Sequence, residues 1–368
     1  MEFRYRTKTR QFVCTIIPLQ SSSTANFLSS CNDFLFSAQD NGEVLVWKYT
    51  DTQRDWNLYE ETSTTCLEFV KQLALTDSSS KNASILSVVS WERQGRKFVI
   101  NATSSGVVSF WNPFEIGLSS LVHKGKAHGN SINALTVWND WLVTGSSDNT
   151  LKVWNMEINP NKTNDTKESS IQVVKLVKML AGHFGSVNAA ICIEKMLWTG
   201  GRDRTIRIWN PNGFKTVNVV QAHKGTITSL CEWRGHIVSG SYDKTIKIWN
   251  KEGKNVKNLN GHQCWVTCLC VWKERLCSGS KDKTIRIWSW NGDCISTMIE
   301  DEGIKSLHVW RDLLWSTSGE SIRCWKPRVS WSVLRVLWIG LMKNRAADCV
   351  LALLPNEILK EVISCLIL

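Results

Sequence analysis

No stretch of eighteen apolar residues occurs in the chain, and its longest candidate, Val333 to Met342, is interrupted by Arg335. A membrane-spanning helix is therefore not expected. The GxxxxGK(S/T) phosphate loop, the GxGxxG fingerprint, the GxSxG elbow and HExxH are all missing. Their absence removes the usual sequence marks of nucleotide, dinucleotide, esterase and zinc-protease sites, so no cofactor and no small-molecule substrate is expected. No secretory signal precedes the thirteen scattered cysteines; the basic start MEFRYRTKTR leads into only eight apolar-leaning residues, Phe12 to Leu19. A soluble protein with reduced thiols follows, cytoplasmic or nuclear in location. Tyrosine is scarce, at four, against twenty tryptophans. That imbalance suggests one tryptophan at a fixed place in each unit of a repeat.

Short β-rich runs do end in tryptophan, at Trp47, Trp111, Trp154, Trp209, Trp249, Trp288 and Trp325. The last three intervals are 40, 39 and 37 residues, the length of a four-stranded propeller blade; earlier ones are longer and imply insertions. Four units share a rigid internal spacing. They are His128, Thr144, Asp148 and Trp154; His183, Thr199, Asp203 and Trp209; His223, Ser239, Asp243 and Trp249; and His262, Ser278, Asp282 and Trp288. A His, Ser and Asp set invites comparison with a hydrolase triad. Four copies at one spacing instead fit a structural network that satisfies buried polar groups, and no catalytic residue is assigned.

Phrases such as AGHFGSV with TGGRDRTIRIWN, and SGSYDKTIKIWN with SGSKDKTIRIWS, resemble the WD-repeat family, with Asn or Ser after the tryptophan in place of Asp. The resemblance implies an all-β, seven-bladed WD-repeat β-propeller over residues 1–327, with the His, Ser/Thr, Asp and Trp hydrogen-bonded inside blades three to six. Blades one, two and seven keep the tryptophan but lack the His, so they should be held mainly by apolar packing. Blade seven ends at Trp325 with no later β run, so Phe12 to Leu19 should supply its outer strand and close the ring.

WD-repeat propellers are typically non-enzymatic scaffolds or adaptors, and the resemblance implies ligand contacts on a top rim. Carried over, the rim positions are Ser131, Asn133 and Ser147; Ser186, Asn188 and Arg202; Thr226, Thr228 and Tyr242; and Trp265, Thr267 and Lys281. Arg202, Tyr242, Trp265 and Lys281 supply the aromatic and cationic groups that dominate interfaces, which points to an acidic or phosphorylated peptide as ligand. The net charge of +11 favours acidic partners generally. Without interleaved exposed aromatics it is weak evidence for DNA or RNA. Cys264, Cys268, Cys270 and Cys277 crowd one blade, but they lack paired ligand spacing and read as core cysteines, with no metal assigned.

Residues 155–170 are polar and read as a mobile loop between blades three and four, and a second insertion falls in 50–84. After Pro327 the pattern turns helical: Trp331, Leu334, Trp338 and Leu341 make one stripe, and a second helix should follow Pro355. A short α-helical extension over 328–368 is therefore expected. LLPNEILKEVISCLIL resembles the first helix of an F-box, through Leu354, Pro355, Ile358 and Val362 among others. That resemblance implies an alternative role, substrate receptor of a cullin-type ubiquitin ligase, with the tail binding ligase components.

Overall fold

The computed structural model describes residues 12–19, 23–49, 67–74, 83–93, 96–112, 121–158 and 171–327. The tail of residues 328–368, expected to be helical, and most of the 50–84 insertion lie outside these residues. Within them, twenty-eight strands form seven four-stranded antiparallel sheets, each a blade of a closed ring. Six blades are consecutive in sequence. The seventh is ordered β1-β28-β27-β26, so β1 (Phe12–Pro18) pairs antiparallel with β28 (Ser321–Pro327), from Phe12 opposite Pro327 to Pro18 opposite Ser321. The N-terminal strand thus closes the ring as expected. Ile17 and Leu19 lie buried in one cluster with Leu35 and Trp47 of blade one and Trp315 of blade seven, so the closure also joins blade seven to blade one.

Each inner strand carries a bulge at its second residue, and the seven bulged residues are Asn26, Leu86, Asn133, Asn188, Thr228, Thr267 and Lys305. A bulge leaves its residue outside the ladder and re-aims the side chain. Most of these side chains reach the next blade: Asn133 donates to Asn188 Oδ1 (3.2 Å), Asn188 to the Ile227 carbonyl (3.3 Å), Thr228 to the Val266 carbonyl (2.7 Å) and Thr267 to the Ile304 carbonyl (2.7 Å). Lys305 donates to Asn26 Oδ1 (3.0 Å), and Asn26 in turn to the Ile85 carbonyl (3.4 Å). Leu86 has no polar group to offer, so the chain of bonds breaks between blades two and three.

The opposite face is built from two-residue hairpins such as Asn139-Asp140, Glu194-Lys195 and Lys273-Glu274, with positive φ at both residues. This geometry matches the right-handed twist of the strands it joins. The tight turn also offers a carbonyl to the preceding blade. Trp138 Nε1 donates to the Lys195 carbonyl (2.6 Å), Trp233 to Glu274 (2.9 Å), Trp272 to Asp312 (2.8 Å) and Trp310 to Asn32 (2.9 Å). Four tryptophans therefore staple blade to blade, while Cys31 and Ile193 hold the position in blades one and four. In blade two the pattern fails: Arg93 donates to the corresponding Asp140 carbonyl (3.3 Å), and the buried Trp91 Nε1 has no partner.

The 155–170 loop needs correction at its start. Residues 155–158 continue a strand, Thr150–Ile158, paired with Ile171–Ala181, and Met156 is buried against blade two beside Trp91 and Phe98. One apolar side chain in a polar run holds the hairpin stem on its neighbour. Residues 159–170 lie outside the described set.

Candidate functional site

In blades three to six the sequence places a buried imidazole between a carboxylate at the top turn and a hydroxyl on the second strand. His Nδ1 lies 2.8–2.9 Å from Asp148, Asp203, Asp243 and Asp282 in turn. His Nε2 lies 2.7–2.8 Å from Thr144, Thr199, Ser239 and Ser278. The blade tryptophan Nε1 donates to the same hydroxyl at 2.8–2.9 Å. Donors and acceptors balance for one assignment: the neutral imidazole donates from Nδ1 to the carboxylate, and the hydroxyl donates to Nε2 while accepting from tryptophan. Burial lowers the pKa of His128, in keeping with the neutral ring. Burial alone would raise the Asp203 carboxyl, but hydrogen bonds and charge from His183, with the Phe184 and Thr205 backbone N–H groups, outweigh it and hold the pKa at about 2. Asp243 and Asp282 are lowered by the same balance.

All four hydroxyl residues have no solvent exposure. A nucleophile must reach its substrate, so these sets work as internal struts.

The blades without the histidine are not held by apolar packing alone. In blade one, Trp47 Nε1 donates to Ser37 Oγ (2.9 Å), and the Gln39 carboxamide takes the imidazole's part, donating to Ser37 Oγ (3.0 Å) and accepting from Ser23 (3.2 Å). In blade two, Trp111 donates to Asn101 Oδ1 (2.6 Å). In blade seven, Trp325 donates to Ser316 (2.9 Å), which donates to Glu300 Oε1 (2.5 Å); Ser318 donates to the other carboxylate oxygen, and Arg323 Nε stands 3.6 Å away. Glu300 thus occupies the histidine's place. Burial raises its pKa, with Arg323 pulling the other way. The reason for the expected apolar packing was a missing residue type. The buried indole N–H is the constant demand, and a different acceptor meets it in each blade.

Of the twelve carried-over rim residues, eight fall into two groups, and Ser131, Ser147, Ser186 and Thr226 are half-buried. Asn133, Asn188, Thr228 and Thr267 are half-buried bulge residues that make the hydrogen bonds between blades described above. Arg202, Tyr242, Trp265 and Lys281 are exposed on the top face. The structure brings Tyr242 of blade five and Trp265 of blade six into a parallel stack, with ring centroids 4.4 Å apart and planes 17° apart. Lys281 is tied to Trp265 through the backbone, its N–H donating to the Trp265 carbonyl (2.9 Å), while its side chain passes Gly303 of blade seven. Arg202 lies apart from the stack, in a polar notch of about 360 Å³ at the seam of blades three and four, with Ser147, Asn149, Phe184 and Ser186.

The top face is electrically lopsided. On blades four to six, Arg202, Arg204, Lys224, Lys244, Lys281 and Lys283 are exposed, while the aspartates of the same turns are held by their histidines. Blade seven shows the opposite sign, with Asp301, Glu302 and Glu320 exposed. Phe184, 87% exposed, was not among the rim positions carried over, because it directly follows the blade histidine; its one signal was a large aromatic in a turn of small residues. Among the described residues, no cluster of His, Cys, Asp and Glu could hold a metal ion. No helix among them is long and apolar enough to cross a membrane.

Comparison with known proteins agrees with this geometry. The family WD40, described as WD domain, G-beta repeat, matches residues 119–155, 174–210, 214–250 and 253–289, each the outer strand of one blade followed by the three inner strands of the next, from blades two and three to blades five and six. The crystal structure of the WD40 beta propeller domain of Doa1 superposes with a TM-score of 0.65 at 18% identity, over 84% of this chain and 95% of that one. Over 91 residues the chain is 31% identical to pre-mRNA-splicing factor PRP46 of Candida albicans, covering 24% of this chain and 19% of that protein. Over 135 residues it is 30% identical to the ribosome biogenesis protein WDR12 homolog of Drosophila yakuba, covering 34% of this chain and 31% of that protein. The chain therefore spans less than a third of the length of either curated relative. With four matched repeats inside a ring of seven blades, the chain is a WD-repeat β-propeller.

Proposed function

We propose that the chain is a non-enzymatic interaction scaffold, cytoplasmic or nuclear, that holds partner proteins on its ring and takes an acidic or phosphorylated segment on the top face of blades four to six. The observation that carries this reading is the exposed Tyr242–Trp265 stack, with Lys281 tied to Trp265 through the backbone, in a sector whose turn aspartates are all engaged by histidines. Aromatic and cationic side chains of this kind dominate interface energies. The four hydroxyls that a triad would need are buried, which supports a role without catalysis. The test is recovery of partners from cell extract by the full chain and by Trp265→Ala/Lys281→Glu. The reading expects the double variant to lose a set of acidic partners; an unchanged set overturns the site.

The F-box-like residues Leu354, Pro355, Ile358 and Val362 support a second reading, the substrate receptor of a cullin-type ubiquitin ligase. A chain truncated after Pro327 should then lose cullin-adaptor subunits while keeping its rim-bound partners. Retention of those subunits by the truncated chain, or their absence from the full chain, rejects the tail assignment.

A further inference from the structure

We infer that the basic arc on the top face of blades four to six binds single-stranded nucleic acid, with phosphates along the cations and bases on the exposed aromatic faces. This rests on reading the arc as an anion-binding surface and names a different anion from a peptide's.

Three observations favour the nucleic acid. The first is an interleaving of charge and exposed aromatics, which the sequence did not show and for want of which nucleic acid was not an expected partner. Phe184 at 87%, Tyr242 at 40% and Trp265 at 45% exposure lie on the same three blades as the cations. A peptide's apolar anchor needs a desolvated pocket, and the notch on this sector is lined by serines, Asn149 and Arg202 around Phe184. A base needs only a flat π face, which the stacked indole and phenol offer.

The second is how the charge is spaced. Arg204, Lys244 and Lys283 recur at the same turn position in three successive blades, so positive charge is distributed around an arc. One phosphate group is best held by donors converging at a point, whereas a phosphodiester chain needs them spread. The acidic residues of blade seven bound the arc on one side and the uncharged turn residues Ser147 and Asn149 of blade three on the other.

The third is conformational. Arg204, Lys244 and Lys283 have φ of 68°, 72° and 69°, in the left-handed region. The matching turns of blades one, two and three use Gly42, Gly106 and Asn149, residues suited to it. A turn position that takes glycine or asparagine in blades one to three thus carries a long cation in three successive blades, although left-handed lysine also occurs in the hairpins of the opposite face, at Lys195 and Lys273. Bases already stacked in a duplex cannot present their faces to Phe184 or Trp265, so a single strand is the ligand.

Fluorescence anisotropy of the full chain with a labelled oligouridylate of about twelve nucleotides, the matching duplex and a phosphorylated acidic peptide tests this. Two variants accompany it: Trp265→Ala, and Arg204→Asn/Lys244→Asn/Lys283→Asn, whose asparagines suit the left-handed turns and leave folding intact. The single strand is expected to bind in preference to the duplex, with about tenfold weaker binding in Trp265→Ala. The triple variant should weaken binding further and reduce the slope of log affinity against log salt by about 2. Equal binding of single strand and duplex, indifferent to Trp265→Ala, overturns the inference in favour of a non-specific basic surface. Binding of the phosphopeptide alone overturns it while leaving the anion-binding reading in place, and binding of none of the probes overturns both.

Discussion

Arg207 Nη1 stands 2.8 Å from the point where a β-carbon on Gly182 would lie. Arg286 Nη1 bears the same relation to Gly261 at 2.9 Å. In blades three and five the residue before the histidine is alanine, and the cation two places before the tryptophan is lysine: Lys152 Nζ donates to the Ala127 carbonyl (2.7 Å) and Lys247 Nζ to the Ala222 carbonyl (2.6 Å). Glycine goes with arginine and alanine with lysine because the planar guanidinium fills the volume that a methyl group would need, whereas an ammonium reaches past it.

This relation predicts a compensating pair. Gly182→Ala should lower stability by about 1 kcal/mol, because the new methyl would displace the Arg207 guanidinium, 2.8 Å away, from its place over the Phe184 ring. Adding Arg207→Lys should recover most of the loss. Denaturation midpoints of both single variants and the double variant measure the coupling; additive losses would show that the two sites are independent.

Trp272→Phe should cost about 1–2 kcal/mol, because it removes the hydrogen bond to the Asp312 carbonyl in the next blade and part of a buried ring. Trp91→Phe removes an indole N–H that has no partner and should cost less. Thermal unfolding of the two variants side by side decides whether the bond to the next blade, or only ring volume, matters.

Removing residues 1–20 should open the ring. Burial of Ile17 and Leu19 alone is worth about 3–6 kcal/mol, and β28 would be left as an exposed edge. Faster proteolysis within blade seven and a lowered melting temperature are the expected results. A deletion variant that melts like the full chain would mean that closure does not carry stability.

Acid should destabilise the ring through the turn aspartates. The Asp203 carboxyl is lowered in the folded state from the usual 3.8 to about 2, and Asp243 and Asp282 are lowered as well. Their contribution is complete above about pH 4 and is lost as pH falls through their folded values. Glu300 runs the other way: its raised pKa makes its contribution present below its ordinary value and lost as pH rises through the folded one. Asp203→Asn should therefore be less stable than the parent at pH 7 but lose less between about pH 4 and pH 2, as urea midpoints across that range will show.

The sequence by itself determined the blade number, the closing strand and the four His, Ser/Thr, Asp and Trp networks. Each of these is a contact inside one repeat or between its ends, so fixed spacing in the chain becomes fixed geometry in the sheet. A second signal is equally legible: Trp138, Trp233 and Trp272 each stand sixteen residues before a blade-ending tryptophan. Other features arise only when blades are set side by side. The Tyr242–Trp265 stack, the bonds of Asn133, Asn188, Thr228 and Thr267 to their neighbours, and the grouping of six exposed cations on the top face of blades four to six depend on the rotation from blade to blade, which no local pattern encodes. Glu300 in place of a histidine belongs with them. A buried indole N–H fixes the need for an acceptor, but the side chain that meets it is chosen by what the packed blade brings within reach.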